Sequence, residues 1–276
     1  MKAFLMPVIG VVLSTSAAYA ANDPVVFKDS NLQSAAAQYV PDRETGALTA
    51  ERAATVILIR SADNVIRDLS GLEKFAGLRF LYIAKSEVTD LTPLAGLTNL
   101  ESITIDGGSI QDLRPLAGLK KLTSLTLPGN QIADLKPLAG LSELQQLDLS
   151  RNRISDLAPL AGLPKLEQLV LAGNQVADLP PLPGLKKLAL LDLSKNRIRD
   201  LAGVKQLEGW RYLILDGNQV TDVAPLVEMM RPDIAKARDL LPYRTISLRG
   251  NPLSATAKNT ELPELRKAVG TVTADN

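Results

Sequence analysis

Leu144-Gln145-Gln146-Leu147-Asp148-Leu149-Ser150-Arg151-Asn152-Arg153-Ile154-Ser155-Asp156-Leu157-Ala158-Pro159-Leu160-Ala161-Gly162-Leu163 is one unit of a pattern that reads L-x-x-L-x-L-x-x-N-x-I-x-D-L-x-P-L-x-G-L. Eight 22-residue copies run without insertion over 56–231, beginning at Val56, Leu78, Leu100, Leu122, Leu144, Leu166, Leu188 and Trp210. A fixed period of this length marks a supersecondary unit that cannot bury its apolar face alone and does so by stacking on its neighbours. The chain is therefore expected to be an elongated solenoid presenting one long surface.

Within each unit, L-x-x-L-x-L predicts a short strand, paired in parallel with the next at about 4.8 Å. Apolar side chains at the first, fourth and sixth positions should point inward, leaving the third, fifth and seventh on the open, concave side. An asparagine (Asn64, Asn130, Asn152, Asn174, Asn196, Asn218, Asn251) follows the strand, where its amide can satisfy backbone groups buried between turns. Ser86 and Gly108 replace it in two copies, so a looser turn is expected there. An aspartate recurs in all eight copies: Asp68, Asp90, Asp112, Asp134, Asp156, Asp178, Asp200 and Asp222. It precedes an apolar, mostly proline-containing segment, as a cap for a short helical turn on the convex side would. A spaced row lacks the converging oxygens that calcium requires.

The ends depart from the period. Residues 1–20 carry Lys2, an apolar stretch from Phe4 to Leu13 and Ala18-Tyr19-Ala20, the layout of a bacterial secretory signal. That apolar run is shorter than the roughly 20 residues needed to span a bilayer. The rest is thus expected to be exported, periplasmic or released, without membrane insertion after cleavage. Residues 21–55 should form a helical cap, with Asp29 or Ser30 capping a helix through Ala35 to Tyr39 and Thr49 capping Ala50 to Ala54. After Arg231 comes an inserted segment, Pro232 to Pro242, with a helix predicted over Asp233 to Leu241. The pattern resumes at Tyr243, Ile246, Leu248 and Asn251. Residues 254–276 should close the end through Leu262, Leu265 and Val269, completing an irregular last repeat and cap over 232–276.

Cysteine and histidine are absent, which excludes disulfides, thiolate nucleophiles and the usual zinc sites. The formal charge is +1, falling to 0 without the segment containing Lys2. No basic excess points to nucleic acid. Catalysis would have to use carboxylates, lysines or hydroxyls; Asp106, Asp148 and Asp192 share the concave side, but an open regular sheet is a poor place to raise a carboxylate pKa by burial. No enzyme activity, cofactor or metal is expected.

The period with its asparagine is the leucine-rich repeat signature, and it implies an α/β solenoid. The expected form is a curved leucine-rich repeat horseshoe with a parallel concave sheet, short 3-10 or helical turns on the convex side, and caps at both ends. Together with Val25-Val26-Phe27-Lys28-Asp29 before the first helix and the ending Leu248-Arg249-Gly250-Asn251-Pro252-Leu253-Ser254, the D-L-x-P-L-x-G-L units resemble the internalin-like, 22-residue class. That resemblance covers nearly all the chain after residue 20. It implies protein recognition through the concave strand face, often of host surface receptors. The anchored members differ in carrying a sorting motif and an immunoglobulin-like domain after the repeats.

Two features of the concave columns mark candidate partner-binding residues. Phe80 and Tyr82 share one strand, and Tyr212 with Ile214 and neighbouring Leu190 forms a second apolar area; aromatic anchors supply much of the energy of protein interfaces. The alternative is that Phe80 and Tyr82 pack under the amino-terminal cap. Secondly, Asp148 and Arg151 recur two copies later as Asp192 and Lys195, in LDLSRNRI and LDLSKNRI. Duplication of a repeat pair explains this, and it keeps like charges about 10 Å apart. The basic side chains, Arg151 and Lys195 among them, could instead dock an acidic partner edge. The reading is a monomeric, non-catalytic protein-binding module with a protein ligand on its concave face. The alternatives are a carbohydrate- or peptidoglycan-binding module, with Tyr82, Phe80 and Tyr212 stacking on sugar rings, and a structural envelope protein.

Overall fold

The computed structural model describes residues 23–41, 47–207, 209–235 and 244–275. Ten parallel strands form one open sheet in strict chain order: β1 (Leu58–Ser61), β2 (Phe80–Ile83), β3 (Ser102–Ile105), β4 (Ser124–Thr126), β5 (Gln146–Asp148), β6 (Gln168–Val170), β7 (Leu190–Asp192), β8 (Tyr212–Ile214), β9 (Thr245–Ser247) and β10 (Thr271–Thr273). Each residue of a repeat pairs with its equivalent one period away, as Gln146 does with Gln168 and Leu147 with Leu169. The register follows from burial. A one-residue slip would put Leu147, 1% exposed, into water and Gln146 into the core.

Leucine, isoleucine and valine at the first, fourth and sixth positions are buried in unit after unit, for example Leu166, Leu169 and Leu171. Opposite the sheet lie the 3-10 turns Thr92–Leu94, Arg114–Leu116, Lys136–Leu138, Ala158–Gly162 and Ala202–Gln206. The leucine after each proline (Leu94, Leu116, Leu138, Leu160) closes the narrow core from that side.

The asparagines form a continuous ladder. Oδ1 of Asn174 accepts from the Ile154 N–H at 3.0 Å, and its Nδ2 donates to the Leu149 and Leu171 carbonyls, both at 2.9 Å. Asn152, Asn196, Asn218 and Asn251 repeat this set, each bridging its own turn and the preceding one. Each asparagine so placed gives one backbone N–H and two backbone carbonyls a partner. Asn64 was expected in this column but is exposed, because the preceding unit is the helical cap and offers no turn to bridge.

Nor are the two turns without asparagine looser. Ser86 Oγ accepts from the Val88 N–H at 2.9 Å, and the backbone bonds from Glu87 N to Ile66 O (2.8 Å) and Ser109 N to Val88 O (3.0 Å) match those of the asparagine turns, such as Arg153 N to Ile132 O at 2.9 Å. At Gly108 (φ +107°) an added Cβ would lie 2.6 Å from the Val88 carbonyl oxygen, so the backbone itself fills the space.

The aspartate column works as expected but one residue further out. It stands before the N-cap position, and Oδ1 accepts from the first N–H of the turn: Asp90 from Thr92 (2.8 Å), Asp134 from Lys136 (2.9 Å), Asp156 from Ala158 (2.8 Å) and Asp200 from Ala202 (2.7 Å). Asp178 is the exception. Two residues on stands Pro180, which has no N–H to give, and no 3-10 turn forms between Asp178 and Leu188.

Two different caps close the ends. At the amino end α1 (Ser30–Ala37) packs on β1 and buries Leu32, Ala35 and Ala36, and α2 (Ala50–Ala54) follows. Asp29 is the N-cap of α1: Oδ1 accepts from the N–H groups of Asn31 (2.8 Å) and Leu32 (3.0 Å). Its Oδ2 accepts from Arg67 N at 2.6 Å in the first repeat, so one carboxylate joins cap to solenoid. Burial pushes this carboxyl up, but the four backbone N–H groups around it outweigh that and hold it below the usual carboxylate range.

At the carboxyl end the helix expected over Asp233–Leu241 instead starts at Ala224, as α3 (Ala224–Ala235); residues 236–243 lie outside the described residues. The apolar run Val223-Ala224-Pro225-Leu226-Val227 lets the turn of the eighth unit continue as helix, with Pro225 in its first turn where no N–H is needed. A π-helical turn (Ala257–Glu261) and α4 (Leu262–Leu265) then bury Leu262, Leu265 and Val269. The tenth strand, β10, was not expected, since Thr271-Val272-Thr273 lies outside the repeat pattern.

Candidate functional site

The open face of the sheet is built from the third and fifth positions of every unit. From β2 to β10 it changes character: aromatic (Phe80, Tyr82), hydroxyl (Ser102, Thr104, Ser124, Thr126), amide and acidic (Gln146, Asp148, Gln168), apolar with one acid (Leu190, Asp192, Tyr212, Ile214), and hydroxyl again (Thr245, Ser247, Thr271, Thr273). At the seventh position Pro128 is buried, whereas Asp106, Ser150, Ser194 and Asp216 are half-buried and Arg249 is exposed.

Large hydrophobic side chains exposed among the described residues are Val26, Ile57, Tyr82 (37%) and Tyr212 (47%). The tyrosines are the two that stand on strands of the open face. Val26 and Ile57 lie outside the strands, in the cap and just before β1, and the repeat pattern did not single them out. The amino-terminal cap therefore leaves Tyr82 uncovered, and Phe80 beside it is half-buried. Arginines dress both rings. The Arg60 guanidinium lies 5.0 Å from the Tyr82 centroid and that of Arg79 lies 5.1 Å from the Phe80 centroid, within cation–π reach. Arg79 also bonds both carboxylate oxygens of Glu101 at 2.8 and 2.9 Å, and this hydrogen bonding holds the Glu101 carboxyl below its usual range.

In the second patch, Leu190 and Thr245 flank Tyr212, and Asp192 and Ser247 flank Ile214. The helix α3 packs against the 3-10 turn Ala202–Gln206 and α4, and Lys205 pairs with Glu228. Tyr82 and Tyr212 are six strand steps apart, about 29 Å along the sheet.

The charged candidates are more structural than the sequence indicated. Asp148 Oδ1 accepts from Ser150 N at 2.9 Å and Asp192 Oδ1 from Ser194 N at 2.8 Å, so both carboxylates brace the turn that follows their strand. Arg151 and Lys195 are the non-glycine residues with left-handed backbone among the described residues (φ 57° and 55°), at a turn position where other units carry Gly129, Gly173 and Gly217. A Cβ on Gly173 would lie 3.5 Å from Arg151 Cγ, and one on Gly217 3.5 Å from Lys195 Cγ, so each long basic stem lies against a glycine turn. The Arg151 guanidinium crosses Gly129 and pairs with Asp106 at 3.5 Å. The sequence-predicted residues therefore do not converge on one site: Phe80 and Tyr82 form one patch, Tyr212 and Ile214 another, and Asp148, Arg151, Asp192 and Lys195 line the turns between.

Among the described residues no group of three or more acidic side chains is placed to hold a metal ion. No helix among them is long and apolar enough to cross a membrane.

Comparison with known proteins agrees with this geometry. A family model described as leucine-rich repeats (2 copies) matches residues 120–162 and again 142–184. No curated protein sequence matches the chain. Among solved structures, internalin C2 from Listeria monocytogenes superimposes with a TM-score of 0.65 at 27% identity, covering 93% of this chain and 98% of that one. The functional domain of InlJ from the same species, whose structure includes a cysteine ladder, gives 0.57 at 20% identity over 90% of this chain and 60% of that one. A leucine-rich repeat protein from Leptospira interrogans gives 0.54 at 20% identity, covering 76% and 57%. The protein is a leucine-rich repeat solenoid. More narrowly, it is an internalin-like leucine-rich repeat protein, with an asparagine ladder in its turns and no cysteine.

Proposed function

We propose that the protein is an exported binding module that recognises a folded protein partner through the open face of its sheet. The leucine-rich repeat fold supports protein interaction, because stacking yields an extended surface larger than any single unit offers. The observation that carries the reading is the pair Tyr82 and Tyr212, half-exposed aromatic side chains on strands of the open face, the residue type that protein interfaces use as anchors. A ligand touching both must reach about 29 Å along the sheet, the size of a small protein domain rather than of one or two sugar rings. Asp148, Arg151, Asp192 and Lys195 stand between the anchors as polar contacts; the two aspartates are already braced by their turns, so ordering them on binding costs little conformational entropy. Phe80 and Ile214 widen the two anchors. Export rests on the signal-like residues 1–20, which lie outside the described residues.

The test is affinity capture from envelope extracts of the producing organism and from host surface extracts, followed by titration of any purified ligand against four chains. These are the unaltered protein, Tyr82→Glu, Tyr212→Glu and, on a 3-10 turn, Lys136→Glu. Each tyrosine variant should weaken binding by tenfold or more, the scale of a hot-spot residue, while Lys136→Glu should leave it unchanged. Equal binding by all four chains refutes the proposed face. Loss with Tyr82→Glu alone, accompanied by binding to glycan fragments, moves the function to carbohydrate.

A further inference from the structure

The two edges of the sheet are unlike. Outside β1 lies α1; outside β10 no described residue pairs. Thr271 N donates inward to Arg244 O at 3.1 Å, and Thr273 O accepts from Leu248 N at 2.8 Å, so the backbone of those two residues is engaged with β9. By the alternation of a strand, the N–H and C=O of Val272 then point outward, together at one residue. Natural edge strands are usually blunted by lysine, proline, a bulge or a covering element. Gly270-Thr271-Val272-Thr273-Ala274 contains no charge and no proline. Its side chains read small-Thr-Val-Thr-small, the same in both directions. Val272 and Ala274 pack against the end of the core while remaining partly open to solvent.

We propose that β10 is a homodimerisation edge: two copies of this chain pair antiparallel about a twofold axis through Val272. A residue whose N–H and C=O both point outward is what a symmetric antiparallel pair needs at its axis, since the two residues then exchange both hydrogen bonds. The register follows: Val272 faces Val272 of the second copy, Thr271 faces Thr273, and Gly270 faces Ala274. Asp275, the nearest charge, is turned back onto its own chain by the Gly250 N–H at 2.6 Å, and in this register it would oppose Val269 rather than another acid. An axis perpendicular to the sheet keeps both open faces on the same side, so dimerisation would join them edge to edge and present two Tyr212 patches near the junction. The paired segment is short, and a weak dimer with Kd on the order of 0.1 mM is expected. This departs from the monomer anticipated from the sequence.

The absence of cysteine makes the test clean. Val272→Cys places one thiol on the proposed axis. There the Cα atoms of a hydrogen-bonded antiparallel pair stand about 5.5 Å apart, within disulfide reach. Mild oxidation should cross-link Val272→Cys at least tenfold faster than Thr245→Cys, one strand further in. Sedimentation equilibrium of the unaltered protein should show dimer growing with concentration. Val272→Pro removes only an outward N–H, a change edge strands accept, and should abolish the dimer while circular dichroism stays unchanged. The proposal is overturned by a monomer at 0.5 mM (about five times the expected Kd), by equal cross-linking rates, or by a dimer that survives Val272→Pro.

Discussion

The amino-terminal end of this solenoid is closed by a helix, the carboxyl-terminal end by a strand. The helix covers the sheet edge: α1 packs on β1 and buries Leu32, Ala35 and Ala36, and Asp29 ties it down through both carboxylate oxygens. Phe27 and Phe75 add a tilted ring pair with centroids 6.0 Å apart. At the other end α4 and Val269 cover the core, but β10 extends the sheet and exposes a fresh edge. One lesson is that the apolar core of a stacked array and the hydrogen-bonding edge of its sheet are separate problems. The amino-terminal cap solves both, and the carboxyl-terminal cap solves only the first.

Several substitutions would break or sharpen that contrast. Phe75→Ala, at a fully buried ring beneath the amino-terminal cap, should cost about 4 kcal/mol in urea denaturation. Hydrogen exchange should show the lost protection concentrated in β1 and β2. Leu265→Ala at the opposite end should cost about 3 kcal/mol, with the loss in β9 and β10. Equal loss of protection at both ends in either variant would show that the solenoid unfolds as one unit and that the caps are not independent.

Asp29→Ala should cost about 2 kcal/mol, a helix cap plus charge-assisted bonds to the first repeat. Asp29→Asn should retain part of this, because one amide oxygen can still accept.

The smallest effect is a difference in pH response. Asp29 titrates below its usual value, so the stability it contributes is present above the unfolded pKa near 4 and is lost as pH falls through its lower folded value. Glu261, at the carboxyl end, behaves oppositely. Burial and then the Asp222 charge raise it, although Val223 N donates to it at 3.0 Å. The stability linked to its protonation is present below the unfolded pKa and is lost as pH rises through the folded one. Acidification from pH 6 to 3 should therefore lower exchange protection, corrected for the intrinsic pH dependence of exchange, around α1 before it does so around the Ala257–Glu261 turn. The reverse order would contradict the assignment, and Glu261→Gln should remove the pH dependence at its end.

Much of the candidate face was legible from spacing alone, because a strand alternates its side chains and the repeat locks the register. Tyr82 and Tyr212 were placed on the open face by counting, and they stand there. Counting could not show which side chains the backbone already employs. Asp148 and Asp192 read as free charges in LDLSRNRI and LDLSKNRI, yet each accepts from an N–H two residues on. Likewise Arg151 reads as a basic contact and is found crossing a glycine turn to Asp106.

By itself the sequence determined the solenoid, its register, the buried leucine columns and the asparagine ladder from Asn130 onward, because identical units have only one way to bury the same face repeatedly. Only the tertiary structure decided what happens where the repetition stops. It left Asn64 outside the ladder, started the late helix at Ala224 and made a tenth strand of Thr271–Thr273. At those places a residue's partners come from a neighbouring element that does not resemble its own. Periodicity then carries no information, and packing chooses the conformation.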